Sequence, residues 1–144
     1  MTAPARTPRE VIERLIDGIC HGELAELPDL YAGDAVVEHV FGVTEPSRWE
    51  GAAQVREHLD SAGTSGLRMT AHDLVVHETT DPEVVVAEWV YEGTTGVGTE
   101  FRAANLIVAR VRAGRIVSSR DYHDHARMAA AMGRLPELAG ALGG

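Results

Sequence analysis

The sequence predicts an α+β fold in which N-terminal helices pack on a cone-shaped, curved antiparallel sheet. Three observations lead to this prediction. Apolar residues follow helical spacing early in the chain, and the apolar period then changes to two over four successive segments. The turn dipeptides Asp81-Pro82 and Ala113-Gly114 separate these segments closely enough for hairpins. Helices followed by a run of antiparallel strands are typical of the α+β class and not of a wound parallel sheet.

The first helix begins at a capping box. In Thr7-Pro8-Arg9-Glu10, Thr7 and Glu10 can each bond the backbone N–H of the other, and proline takes the first helical position. Gly22 is a natural end for this helix. Between these limits, five apolar side chains fall on one helical face: Val11, Ile12, Leu15, Ile16 and Ile19.

Shorter elements separate the first helix from the four period-two segments. Residues 23–31 indicate a short helical piece around Pro28, and residues 35–41 alternate as a strand. Residues 42–47 read as a loop. A second amphipathic helix ends near Gly63 and carries its apolar face at Ala52, Val55, Leu59 and Ala62.

The period-two segments predict the remaining strands of the sheet, at 67–78, 83–93, 100–112 and 115–123. A helix is expected at 126–132, and a short tail follows at 134–144. We expect the chain, 1–144, to form one domain with a core of about 8–133. A long sheet curved against a helix makes a cone open at one end, which suits a small hydrophobic ligand.

Composition argues against several classes of partner. The formal net charge of −9 disfavours nucleic acid and anionic membranes, since both reward a basic surface. Cys20 is the single cysteine, so we expect no intrachain disulfide, no CxxC metal motif and a reducing, cytoplasmic location. The N-terminus lacks an apolar signal region, and no apolar run approaches the roughly 18 residues of a membrane span.

Two stretches carry a resemblance to a known superfamily. LYAGDAVVEHVFGVTEPSRWEGAAQVREHL, residues 30–59, resembles the ketosteroid-isomerase segment of the nuclear-transport-factor-2-like superfamily. GRIVSSRDYHD, residues 114–124, resembles the last strand of limonene-epoxide-hydrolase-like and SnoaL-like members. The resemblance implies a cystatin-like α+β barrel, a small hydrophobic ligand inside the cone, and a homodimer formed through the outer face of the sheet.

The resemblance also implies roles for two residues. Ketosteroid isomerases place a general-base aspartate directly after Val-Glu, and His39 occupies that position here. SnoaL-like polyketide cyclases use an acid/base aspartate in the final strand region, which Asp121 resembles. Asp121 also matches the final aspartate of limonene epoxide hydrolases. The strand VVVAEWVYEG offers Glu88 and Glu92 where those hydrolases have an arginine and an aspartate.

Each of these two residues has a structural and a functional interpretation. His39 alternates with Val37 and Phe41, so it is either a core histidine with one hydrogen bond or a general base. An imidazole needs little tuning for this task, because its unperturbed pKa is about 6.5. Asp121 is either a surface or salt-bridged carboxylate, or a pocket residue that orients His39 or acts as the acid.

Further residues are candidates for substrate binding. Asn105 is a lone amide on an apolar strand face, where it could donate a hydrogen bond to a substrate carbonyl. Core packing is the simplest account of Trp89 and Tyr91 and the favoured one for Tyr31, although the same positions could also line a ligand cone. The other expected pocket residues are aromatic or imidazole side chains, namely Trp89, Tyr91, Phe41, His123 and Tyr31.

A metal site is the least favoured interpretation. Asp121, His123 and His125 stand at every second residue and could point three ligands at one ion if the strand continued. Asp124, however, is a good N-cap for the following helix, and a helix that begins there would turn His125 away. We therefore expect no metal and no cofactor.

Three other histidines receive no role in the site. His58 stands near Arg56 and Glu57 on the second helix and is predicted to be solvated. Period two places His72 and His77 on opposite faces of one strand.

These observations favour a cofactor-independent acid/base enzyme that acts on a small hydrophobic carbonyl compound. Isomerisation or aldol-type cyclisation of a polyketide- or steroid-like substrate fits this hypothesis. Two alternatives stay open. One is an epoxide hydrolase of the limonene-epoxide-hydrolase type, and the other is a non-catalytic ligand-binding or interaction domain.

Overall fold

The computed structural model describes residues 4–43, 47–63 and 65–143. Of the helices in these ranges, none is long and apolar enough to cross a membrane. The helices are α1 (Pro8–Cys20), α2 (Gly51–Gly63), α3 (His125–Ala131) and α4 (Leu135–Ala141), with a 3₁₀ turn at Leu27–Leu30. The strands are β1 (Tyr31–His39), β2 (Arg48–Glu50), β3 (Arg68–Glu78), β4 (Val84–Thr94), β5 (Glu100–Arg112) and β6 (Arg115–His123).

The strands form one curved, six-stranded sheet in the order β2-β1-β6-β5-β4-β3. The four strands β3 to β6 follow one another as antiparallel neighbours, as the sequence predicts. β1 adds a feature that the predicted antiparallel sheet lacks, because it pairs parallel with β6. Parallel neighbours need a crossover connection, which α2 and the strands β3 to β5 supply here.

The first helix forms as its sequence predicts. The Thr7 side chain accepts a hydrogen bond from the Glu10 backbone N–H, and Glu10 accepts one from the Thr7 N–H. Its apolar face packs on the concave side of the sheet, against β3, β4, β5 and β6. Val11 and Ile12 are fully buried there, so this face of α1 is part of the core.

Alternation along β5 separates the two faces of the sheet. Arg102, Arg110 and Arg112 lie on the outer face and form ion pairs with acidic side chains. The inward side chains are buried, and they are Phe101, Ala103, Asn105, Ile107, Ala109 and Val111. The one polar member of this row, Asn105, is therefore carried into the interior by the strand period.

Several predicted boundaries in the first half of the chain are wrong. β1 begins at Tyr31, because a bulge between Tyr31 and Val36 breaks the alternation that would reveal its start. It ends at His39, so Phe41 lies in a turn with 59% of its surface exposed. The expected helical piece at 23–31 shortens to the 3₁₀ turn. The three-residue strand β2 is too short to produce a periodic signal.

A bulge in β3 also overturns the prediction for two histidines. The register shifts between His72 and Val75, and Asp73 adopts a positive φ of 58°. The extra residue changes the alternation, so His72 and His77 both lie on the outer face. There, His72 stands 3.5 Å from Glu92, and His77 stands 2.7 Å from Glu88.

Gly93 is required where β4 passes closest to β3. A Cβ atom at this position would overlap the carbonyl oxygen of Arg68 and stand 2.8 Å from the Cα of Met69. Both obstacles are backbone atoms, which cannot rotate away. We expect Gly93→Ala to lower the free energy of unfolding by about 1–3 kcal/mol, as measured by urea titration.

Gly33→Ala is the matched control for this prediction. Gly33 lies in β1, and a Cβ added there meets nothing within 4 Å. Its free energy of unfolding should stay within about 0.5 kcal/mol of the parent value. Equal effects of the two substitutions would contradict the close approach of β3 and β4.

Candidate active site

The pairing of β1 with β6 brings His39 and Asp121 together. The two residues are direct partners in the parallel register and face the concave side of the sheet. The Nε2 atom of His39 stands 3.6 Å from the Oδ2 atom of Asp121. Only 14% of each side chain is exposed. The structure therefore places the two residues predicted to be catalytic in one partly buried pair.

His123 joins this pair from the next inward position of β6. Its Nε2 atom lies 3.8 Å from the same Oδ2 atom of Asp121. Its Nδ1–H donates to the Oδ1 atom of Asn105 at 2.6 Å. Asn105 in turn donates from Nδ2 to the carbonyl oxygen of Ala103, which turns its own oxygen toward His123. This chain of hydrogen bonds fixes the tautomer of His123 and leaves the lone pair on Nε2.

The electrostatic environment keeps His123 neutral. Burial lowers the pKa of His123 to about 4, against the opposing influence of the Asp121 carboxylate. The neighbouring histidines His39, His125 and His58 act in the same direction as burial. At neutral pH this ring therefore carries no charge and can accept a hydrogen bond or bind a metal ion at Nε2.

Buried polar atoms without partners mark the same location. Among the residues that the structure describes, no protein group hydrogen-bonds to His39 Nε2, Asp121 Oδ1 or Ser119 Oγ, and all three atoms are buried. His39 Nε2 has only the longer 3.6 Å approach to Asp121. Burial without a hydrogen bond costs free energy, most of all for a carboxylate. Unpartnered buried polar atoms of this kind are typical of a site that binds a ligand or an ion.

Three further rings surround His39. Trp49 and His58 approach it edge-on, with ring centroids 4.7 and 4.8 Å away, and His125 stands at 5.7 Å. Trp49 also stacks on His58 at 3.8 Å. The His39 ring is thus held between aromatic neighbours that limit its rotation.

Two of these neighbours correct sequence-based predictions. His58 is not solvated, because it stands three residues after the buried Val55 and turns toward the sheet. Residues three apart share one face of a helix, so the spacing from Val55 could have predicted that His58 faces the sheet. Asp124 does cap α3, accepting from the Arg127 N–H at 3.0 Å, but His125 does not turn away. At the first position of the helix, its ring still faces the site.

These side chains line a cavity of about 310 Å³. Of the residues predicted to bind substrate, Asn105, Tyr91 and His123 lie in its wall, together with His39. The hydrogen-bonding wall also includes His58 and His125. The rest of the wall is mainly apolar, with large side chains from several elements at Ile19, Val43, Leu67, Met69, Met128, Met132 and Leu138.

Three predicted wall residues lie elsewhere. Tyr31 is buried in the core, Trp89 packs behind Tyr91 with ring centroids 5.6 Å apart, and the exposed Phe41 packs on Tyr122. None of the three is in the lining of the cavity. Alternation along a strand predicts which face of the sheet a side chain occupies, but not how deep in the cone it lies. It therefore could not distinguish aromatic side chains packed in the core from those in the cavity wall.

The C-terminal segment also contributes to the wall. Residues 134–144, expected to be a short tail, include the helix α4, and its Leu138 lines the cavity. α3 supplies Met128 and packs against α4. The two helices therefore help to cover the open end of the cone.

A family comparison identifies the fold. Residues 12–119, three quarters of the chain, match the SnoaL-like domain. The chain belongs to the SnoaL-like family. The resemblance inferred from residues 30–59 and 114–124 is thereby confirmed. No curated protein matches the chain.

Solved structures agree with this assignment. A Bacillus subtilis protein provisionally assigned as an isomerase has a TM-score of 0.83 and 22% identity, over 88% of this chain and 93% of that one. A Pseudomonas putida protein provisionally assigned as a polyketide cyclase has a TM-score of 0.76 and 15% identity, over 88% and 98%. SalBIII, an epoxide hydrolase/cyclase-like enzyme, has a TM-score of 0.67 and 18% identity, over 83% and 92%. At these identities the likenesses establish the fold alone.

The low pKa of His123 predicts how this SnoaL-like protein responds to acid. The unfolded chain binds a proton at His123 near pH 6.5, whereas the folded chain binds it only near pH 4. The contribution of His123 to the free energy of unfolding is therefore complete above pH 6.5 and is lost as the pH falls to about 4. In metal-free buffer, His123→Gln should reduce the loss between pH 7 and pH 4 by about 2–3 kcal/mol, as measured by urea titration.

His21→Gln is the control for this pH effect. His21 is exposed, and its hydrogen bond to the Asp17 carbonyl raises its pKa, which gives the opposite sign of pH dependence. The His21 variant should therefore keep the full acid-induced loss. A His123 variant that loses as much stability in acid as the parent protein would show that His123 is not buried in neutral form.

Proposed function

We propose that this protein is an acid/base enzyme that acts on a small hydrophobic carbonyl compound, as an isomerase or an aldol-type cyclase. The observation that carries the proposal is the His39–Asp121 pair, 3.6 Å apart, beside a mainly apolar cavity. The volume of about 310 Å³ lies at the small end of the range for ligand pockets. A compact substrate with one or two carbonyl groups suits this space.

His39 is the proposed base. Its Nε2 atom faces Asp121, so the carboxylate favours the tautomer with the proton on Nε2 and leaves the lone pair on Nδ1. Nδ1 then accepts a proton from the carbon next to the substrate carbonyl. Asp121 stabilises the imidazolium that forms. The 3.6 Å separation is longer than a hydrogen bond, and substrate binding is expected to shorten it.

Asn105 and Tyr91 are the proposed donors to the carbonyl oxygen. Both line the cavity that contains His39. Asn105 uses Nδ2 to bond the Ala103 carbonyl, and its second N–H is the one proposed to point to substrate. Burial raises the pKa of Tyr91, so its hydroxyl keeps its proton and can donate. Donors placed at the developing oxyanion lower the barrier to enolate formation.

The enolate can then react in two ways. In an isomerisation, the His39 imidazolium returns its proton to a different carbon, and a double bond shifts. In an aldol-type cyclisation, the enolate carbon forms a bond to a second carbonyl carbon of the same molecule, and the resulting alkoxide takes the proton from His39. Both reactions restore the neutral histidine and need no external reactant. The provisional assignments of the Bacillus and Pseudomonas proteins name these two classes of reaction.

Exchange of hydrogen for deuterium tests the proposal before the substrate is known. The protein is incubated in D₂O with small cyclic and aromatic ketones, and label next to the carbonyl is measured by mass spectrometry. His39→Gln should slow exchange of any active compound by about 10²–10⁴-fold, since it removes the base. Asp121→Asn should also slow it, through loss of the charge that stabilises the imidazolium.

His77→Gln is the control for the exchange experiment. His77 lies on the outer face beside Glu88, away from the cavity wall, so exchange should keep the parent rate. Equal exchange in the His39 variant and the parent would exclude His39 as the base. Compounds that bind in the cavity without any exchange would favour the non-catalytic binding domain.

A further inference from the structure

We propose that His39, Asp121 and His123 form a binding site for one divalent transition-metal cation, such as Zn²⁺, with open coordination positions toward the cavity. The inference goes beyond the proposed function, because it concerns binding and does not require catalysis. It also replaces the expected absence of a metal with a ligand set that the sequence did not reveal. The sequence grouped Asp121 and His123 with His125, whereas the fold supplies His39 from β1.

The spacing of the donor atoms supports the site. One ligand atom from each of the three residues lies within 4.8 Å of the others. The two approaches to Asp121 Oδ2 measure 3.6 Å from His39 and 3.8 Å from His123. Both are too long for hydrogen bonds. Ligands at about 2.0–2.1 Å from a tetrahedral zinc stand about 3.3 Å apart, so an ion fits between these atoms after a small contraction.

The chemistry of the donors selects the class of cation. Two imidazole nitrogens and one carboxylate form a set that suits zinc and other divalent transition metals with open positions. Calcium and magnesium favour ligand sets made of oxygen atoms, which this group does not provide. His39 and His123 also lie in the cavity wall, so a fourth ligand could come from a molecule inside the cavity.

The surroundings hold the donors in place. His123 donates from Nδ1 to Asn105, and Asn105 is fixed by the Ala103 carbonyl, so the His123 lone pair at Nε2 faces Asp121. A hydrogen bond to the far nitrogen of a histidine ligand is the usual outer support of a metal site. The register of β1 and β6 fixes the backbone positions of His39 and Asp121 opposite each other.

The buried atoms without hydrogen-bond partners also support a cation site. In the ranges that the structure covers, His39 Nε2 and Asp121 Oδ1 are buried and have no protein hydrogen-bond partner. A cation between the two side chains would supply the missing interaction for His39 and would neutralise the carboxylate. The group Asp17, His21 and Glu23 has comparable donor spacing, but Asp17 and His21 are exposed and Glu23 is only partly buried. It provides an internal control.

The metal and the proposed base use the same nitrogen. A cation on His39 Nε2 displaces the proton held there, and the neutral ring then carries its proton on Nδ1. Nδ1 has no lone pair in that form and cannot abstract a proton from substrate. If the proposed function holds as well, Zn²⁺ should inhibit deuterium exchange, and EDTA should restore it.

Metal titration of the full chain tests the site. After treatment with EDTA and removal of the chelator, the protein is titrated with Zn²⁺ by calorimetry and with Co²⁺ by visible absorption. We expect one ion per chain at this site. His39→Gln, His123→Gln and Asp121→Asn should each weaken binding at least tenfold. Asn105→Ala should weaken it by about 10–100-fold through the outer support.

The control variant separates this site from the surface. His21→Gln removes the central ligand of the group Asp17, His21 and Glu23 and should leave the affinity and the Co²⁺ spectrum unchanged. Circular dichroism checks that every variant is folded. Binding that is lost in the His21 variant but kept in the His39 and His123 variants would overturn the proposal, as would a folded parent protein that binds no Co²⁺ or Zn²⁺. Exchange measured in EDTA tests the acid/base function without metal, so the two proposals can fail separately.

Discussion

The parallel pairing of β1 with β6 is the constraint on which the rest of the site depends. It sets His39 against Asp121 and joins residues that are far apart in the chain. Successive side chains of a strand point to opposite faces, so a slip of one residue would move one partner to the outer surface. The antiparallel pairing of β5 with β6 then adds Asn105 opposite His123. Two strand registers therefore determine the positions of His39, Asp121, His123 and Asn105.

The cost of this arrangement lies in its burial. A carboxylate and several imidazoles share a mainly apolar environment, and burial there drives the pKa of His123 far below that of a solvated histidine. The same environment strengthens any interaction that forms, because little water competes with it. A hydrogen bond from His39 to Asp121, or a cation between them, would therefore be stronger here than on the surface. Burial of these polar groups lowers the stability of the fold and positions them for binding or catalysis.

Local signals in the sequence predict much of the fold. The capping box at Thr7 places the start of α1, and the period of two gives the bounds of β5 and β6. The contact between His39 and Asp121 has no local signal, because it depends on a non-local parallel pairing, and only the family resemblance suggested it. Bulges in β1 and β3 break the period and hide a strand start and two histidine positions. The prediction for His58 is wrong because it rests on the polar neighbours Arg56 and Glu57. The prediction for His125 is wrong because a helix that begins after Asp124 leaves the ring of its first residue facing the cavity.

The separations within the polar group connect the two proposals. Both approaches to Asp121 Oδ2 exceed hydrogen-bond length, yet the strands that carry them are firmly paired. Closing the gap to His39 alone would produce an Asp–His pair suited to proton transfer. Closing both gaps around an ion would produce a metal centre. The two proposed outcomes compete for His39 Nε2, so the occupancy of this atom would decide whether the cavity contains a base or a Lewis acid. Because His123 is held by Asn105, movement of the His39 and Asp121 side chains is what distinguishes the two forms.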